Sequence, residues 1–88
     1  MKSLTSNKVV MVEWVDSRCC IAGWYLIDDY ENTAPKVISI GYLVEKNKSF
    51  LHIVPHVGSV GEDDEQIQGA MIISMAQVIK ITALKAKK

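Results

Sequence analysis

Between Val9 and Val57 the chain carries runs rich in β-branched and aromatic residues, bounded by polar turns, the mark of strands whose successive side chains face opposite ways. Val9 to Val15 (VVMVEWV) is the first such run. It is rich in β-branched residues, which suit a pleated surface. Val10, Val12 and Trp14 share one face; Val9, Met11, Glu13 and Val15 share the other. Asp16-Ser17-Arg18 suits a turn. Cys19 to Ile27 reads as a second extended stretch, interrupted by Gly23, where a bulge or bend is expected. Asp28 to Pro35 is polar and reads as a loop. Lys36 to Lys46 (KVISIGYLVEK) predicts a long strand bent at Gly41. Its Ile38, Ile40, Tyr42 and Val44 side is more apolar than its Val37, Ser39, Gly41, Leu43 and Glu45 side. Asn47-Lys48 predicts a tight turn, and Ser49 to Val57 the returning strand of a hairpin. Pro55 has no N–H to give a ladder and belongs at an edge or a bulge.

Gly58 to Gln68 reads as one long flexible loop, of a length that often carries function. Gly69 to Leu84 is apolar on every side as a helix and fits a small domain poorly in that form. It is better read as two strands, Ala70–Ser74 and Gln77–Thr82, turning at Met75-Ala76. Ala83 to Lys88 suits a short helical turn. The expected fold is therefore all-β: a small SH3-like or Sm-like barrel of five to six strands, since closure removes exposed edges. It forms a single domain over residues 1–88, with a loose N-terminus (1–7) and a basic tail (85–88).

Size and charge narrow the function. Eighty-eight residues hold one modest core, and domains of that size often gain stability by self-association. Ten basic and ten acidic residues give zero net charge, which argues against salt-driven binding to duplex DNA and leaves little repulsion between copies. The two cysteines, Cys19 and Cys20, are adjacent and build no disulfide framework, which fits a reducing cytoplasm. The longest apolar runs, Ala70 to Ile73 among them, are too short to span a bilayer.

No complete catalytic or metal constellation stands out. His52 and His56 lie about 13 Å apart on a strand at ~3.3 Å per residue, too far for one ion. Ser17, Ser39, Cys19 and Cys20 are not linked by spacing to a base and an orienting acid. Gly58-Ser59-Val60-Gly61 lacks the lysine and helix of a phosphate loop. The expectation is a protein that is not an enzyme and calls for no cofactor. Ligand recognition is better provided for. Trp14 and Trp24 offer flat rings on which a nucleobase stacks. Arg18, the one arginine, offers a forked donor for phosphate. Asp16 and Ser17 stand beside it for a ribose hydroxyl or for orienting the guanidinium. The plainer alternative puts both tryptophans in the core and pairs Arg18 with Asp16 on the surface.

Val12-Glu13-Trp14-Val15-Asp16-Ser17 with Gly23-Trp24, then Ser39-Ile40-Gly41-Tyr42-Leu43-Val44, then Ile72-Ile73-Ser74 and Val78-Ile79-Lys80-Ile81, resemble short bacteriophage-encoded proteins. The resemblance implies a phage setting, in the host cytoplasm, where chains of this length are commonly counter-defence factors. One recurring class forms small symmetric oligomers that sequester a nucleotide-derived signal. On that reading Trp14, Asp16, Ser17, Arg18 and Trp24 bind a small nucleotide-type ligand in a homo-oligomer. The alternatives are a factor that inhibits a host enzyme by surface contact, with Glu62–Glu65 mimicking nucleic-acid charge, and an Sm-like binder of single-stranded RNA.

Overall fold

The computed structural model describes residues 3–16, 24–28 and 34–85. These residues form an all-β fold of seven strands: β1 (Val9–Val15), β2 (Lys36–Lys46), β3 (Phe50–Val54), β4 (His56–Gly58), β5 (Gln66–Gln68), β6 (Met71–Ser74) and β7 (Val78–Leu84). Five make an antiparallel sheet in the order β6-β3-β2-β1-β7, and β4 and β5 pair as a separate ribbon. Two 3-10 turns complete the described elements, Leu4–Ser6 before β1 and Met75–Gln77 between β6 and β7. No helix among the described residues is long and apolar enough to cross a membrane.

The short link between β6 and β7 dictates the shape of the sheet. These strands lie at opposite edges, which in a flat five-stranded sheet would be about 19 Å apart at ~4.8 Å per strand. They are offset lengthwise as well. Ser74 pairs with Phe50, next to the Lys46 end of β2, whereas Val78 pairs with Trp14, opposite Val37 at the other end. Those ends of β2 are roughly 30 Å apart at ~3.3 Å per residue. A three-residue 3-10 turn, at ~2 Å per residue, spans far less. The sheet must therefore curl and β2 must bend until its opposite corners meet, in keeping with the expected small barrel. The N–H of Met75 donates to the carbonyl of Ser49 (3.0 Å) and pins the closing turn to the β2–β3 hairpin.

Gly41 sits midway along β2 and permits the bend. A Cβ there would lie 2.9 Å from both the carbonyl carbon and the oxygen of Val54. Two bulges add to the local twist: one in β2 between Leu43 and Glu45, the other where β7 passes Glu13 and Trp14 of β1.

Inside the curl lie Val10, Val12, Leu51, Ile53 and Ile73, with Trp14, Leu43, Met71, Met75, Val78 and Ile81 packed around them. These are the inward positions of a period-two pattern, and Val10, Val12 and Trp14 share a face as the sequence predicts. Met71–Ser74 and Val78–Leu84 bear out the two-strand reading of the C-terminal segment.

Several expectations need correction. The return strand stops at Val54: Pro55 interrupts it, and His56–Gly58 joins the other sheet. Gly58–Gln68 is not one loop, because Gly58 and Gln66–Gln68 belong to the ribbon. Ala83 and Leu84 continue β7 instead of turning helical. Within the N-terminal lead-in, Leu4–Ser6 is a capped 3-10 turn in which Ser3 Oγ accepts from the N–H of Thr5 (3.2 Å). Of the proposed stretch Cys19–Ile27, only 24–27 lie within the described residues, and they are not a strand.

Replacing Gly41 by alanine is expected to destabilise the fold by about 1–3 kcal/mol, the usual cost of overpacking. The obstacle is main chain, which cannot swing aside as a side-chain tip can. Chemical denaturation of wild type and Gly41→Ala checks this; equal midpoints would refute the account of the bend.

Candidate functional site

The sequence places five candidate residues at the end of β1 and in the connection that follows. Trp14 stands on the inner face of β1, half-buried against the core, with Val37 and Val78 as cross-strand neighbours. Its indole N–H donates to the Ser39 hydroxyl at 3.1 Å. Both ring and donor thus serve the fold. Asp16 is exposed just past β1, and its N–H donates to the carbonyl of Pro35 (3.0 Å), tying together the two ends of the connection. Ser17 and Arg18 lie outside the described residues, as do Cys19 and Cys20.

Trp24 has the opposite environment from Trp14. It is fully exposed (102%), and Tyr25, Leu26 and Ile27 beside it are exposed at 55–78%. Four consecutive large apolar side chains in water are costly, since each forgoes about 1.5–3 kcal/mol of burial. The two indoles are used differently, one as packing and one as open surface. The sequence points to Trp24, but its neighbours read there as part of an extended stretch interrupted by Gly23. The unbroken apolar run Trp24–Ile27 was the available signal, because it lacks the polar alternation of a half-buried strand.

A second feature was not foreseen. The turn over residues 59–65 folds against the N-terminal 3-10 turn through Glu65. One carboxylate oxygen accepts from the N–H of Leu4 (2.9 Å) and the other from the N–H of Gly61 (2.8 Å). Hydrogen bonds from Gly61, Leu4 and Ser3, in that order of effect, hold the Glu65 carboxyl below its ordinary pKa of 4.5. Ser59 and Gly61 adopt positive φ, as the tight reversal requires. A shallow cleft of about 320 Å³ lies here, lined in part by Ser3, Asn7, Glu62, Asp63 and Ile67. Glu62, Asp63 and Asp64 are exposed, whereas Glu65 is partly withdrawn and bonded to main chain. Ser3, a good cap one residue before Leu4-Thr5-Ser6, was the sequence signal for the turn.

A second cleft, about 460 Å³, follows the β4–β5 ribbon and includes His56, Gly58, Gln66 and Gln68. Of the candidates within the described residues, Trp14, Asp16 and Trp24, none lines either cleft. Among the described residues, no group of three or more His, Cys, Asp or Glu side chains is placed to hold a metal ion.

Comparison with family models, curated proteins and solved structures finds no match. The resemblance to short phage proteins therefore rests on the sequence stretches that suggested it.

The Glu65 latch carries a pH signature. Its folded-state pKa is depressed, so its stabilising contribution is complete above about pH 4.5 and is lost as pH falls through the folded value. The amide resonances of Leu4 and Gly61 should titrate together with a midpoint below 4.5, and Glu65→Gln should abolish that joint transition. Independent titration, or a midpoint above 4.5, would contradict the latch.

Proposed function

We propose that the chain is a non-catalytic binding protein that acts by surface contact, with Trp24, Tyr25, Leu26 and Ile27 as its anchor. The observation that carries this reading is the full exposure of Trp24 within an exposed four-residue apolar run. Tryptophan and tyrosine are the side chains that most often dominate binding energy when a partner encloses them. Leu26 and Ile27 favour a protein partner with an apolar groove, because aliphatic chains add little to the recognition of a charged, polar ligand. This corresponds to the interaction-factor reading of the sequence, with its contact moved from Glu62–Glu65 to the β1–β2 connection. Glu65 supports the move, since its carboxylate is spent on Leu4 and Gly61.

Capture of a small nucleotide-type ligand is the second reading. In its favour, Trp24 and Tyr25 lie in the same connection as Arg18, the single arginine. Rings for a base and a fork for phosphate would then come from one segment. Trp14, bonded to Ser39 and packed on the core, is not part of that site.

Two measurements separate the readings. In the first, cyclic dinucleotides and ADP-ribose are titrated while melting temperature is followed; a ligand at 100 times its dissociation constant raises stability by about 2.7 kcal/mol. In the second, a photo-crosslinker replaces exposed Asp28, next to the intact anchor, in bacterial lysate. The protein-partner reading expects one dominant adduct, competed away by wild-type chain but not by Trp24→Ala or Leu26→Ser, with no nucleotide shift. A nucleotide shift lost in Arg18→Ala would favour the second reading. Retention of every interaction in Trp24→Ala would sink both.

A further inference from the structure

Two thioethers seal the core where the curl of the sheet ends. Among the described residues, the edge strands β6 and β7 share no ladder, and the Met75–Gln77 turn is what joins them. Exposed Ile72 and Ser74 alternate with Met71, buried Ile73 and Met75. Met71 and Met75 pack on the core yet remain partly exposed, as do Val78 and Ile81 from the β7 side. Thioethers suit such a place, because they are flexible enough to fill an irregular gap. A third methionine gives the contrast. Met11 is also partly exposed, but it lies between inward-facing Val10 and Val12 and pairs with Ile40 and Thr82 on the outer side. Met1 lies outside the described residues.

We propose that Met75, with Met71 on the same side of the chain, is a site of oxidation by hydrogen peroxide, and that sulfoxide there opens the closure of the sheet. The sulfur gives an electron pair to one peroxide oxygen; the S–O bond forms as the O–O bond breaks. The proton on the transferred oxygen passes to the other oxygen, which leaves as water. Sulfur is oxidised by two electrons and the peroxide is reduced by two. Partial exposure admits the peroxide, and the product is polar where the thioether was apolar. Among the described residues no polar side chain is buried, and the indole N–H of Trp14 is already given to Ser39. The sulfoxide oxygen thus meets no free side-chain donor inside and must turn to water. At Met71 that turn displaces the start of β6. At Met75 it displaces the tether itself, whose N–H is held by the carbonyl of Ser49 at 3.0 Å. At Met11 the oxygen points outward and leaves the core undisturbed. A sulfoxide reductase reverses the change: two thiols become a disulfide and the oxygen leaves as water.

The full chain carrying Cys19→Ser and Cys20→Ser keeps thiol oxidation out of the measurement. Graded hydrogen peroxide is applied to it, peptide mass spectrometry reads each methionine, and the melting temperature reads the closure. Sulfoxide at Met71 and Met75 should lower the melting temperature by at least about 4 °C, and the Met75 amide should lose protection from hydrogen exchange. Sulfoxide reductases acting on both sulfoxide epimers should restore both readings. Adding Met71→Leu and Met75→Leu, volume-conserving exchanges, should hold the melting temperature through the same treatment although Met11 is oxidised. Adding Met11→Leu should leave the protein as sensitive as before, and carries the test where the paired exchange does not fold. Four results would overturn the proposal: unchanged melting with Met71 and Met75 fully oxidised, an equal fall in folded Met71→Leu/Met75→Leu, protection by Met11→Leu, or Met71 and Met75 resisting peroxide that oxidises Met11.

Discussion

The short tether between β6 and β7 governs the molecule. Two edge strands that a flat sheet would hold far apart are joined by Met75–Gln77 alone, so the curl is imposed by chain length and not by side-chain preference. The core positions follow from it. The inward residues of five strands converge because the sheet wraps around them, and Gly41 holds the centre of β2 because Val54 main chain already fills the space of a side chain. A larger residue there would oppose the closure that creates the core. Local and global demands agree at this position, which is what a foldable sequence requires.

The tether also explains where the ribbon can go. The strands at the centre of the sheet are occupied on both edges, so the segment between β3 and β6 must leave the sheet and return. Pro55 ends β3 by withholding a donor. Gly69, at φ +79°, brings the chain back within 2.9 Å of the Pro55 ring, measured from where its Cβ would stand. Glu65 then fastens the tip-side turn to the N-terminal 3-10 turn. That single carboxylate connects two parts of the chain sixty-one residues apart in sequence. Its hydrogen bonds are charge-assisted and correspondingly strong, yet exposed to screening and to acid.

Side-chain alternation made the strands legible. Val10, Val12 and Trp14 could be assigned to one face, and Met71–Ser74 and Val78–Leu84 could be separated, because a period of two is a local property. Other features depended on distant partners. Nothing near Leu4 signals that Glu65 will bond its amide. The strength of β2 as a strand is visible, but both its faces are apolar, and only its partners decide which turns inward. The end of β3 was misplaced because Pro55 also suits an edge position; the loss of a donor does not by itself say that the chain changes sheets. At the candidate site, Trp14 and Trp24 are chemically identical and lie ten positions apart. Their different fates turn on one belonging to a paired strand and the other to an unpaired segment.

The exposed apolar side chains fall into two sets that differ in how the fold holds them. Ile38, Ile40 and Leu84 lie on the outer side of the curled sheet, with Val9 and Met11 half-buried beside them, and register fixes their spacing. Trp24 to Ile27 lie in the connection between β1 and β2, whose ends are tied by the Asp16–Pro35 hydrogen bond. A loop presenting one or two rings suits a pocket, since a small anchor gains most when it is wholly enclosed. A protein with so small a core would be poorly served by leaving both sets wet, as each exposed aliphatic chain forgoes stabilisation that a marginal domain lacks.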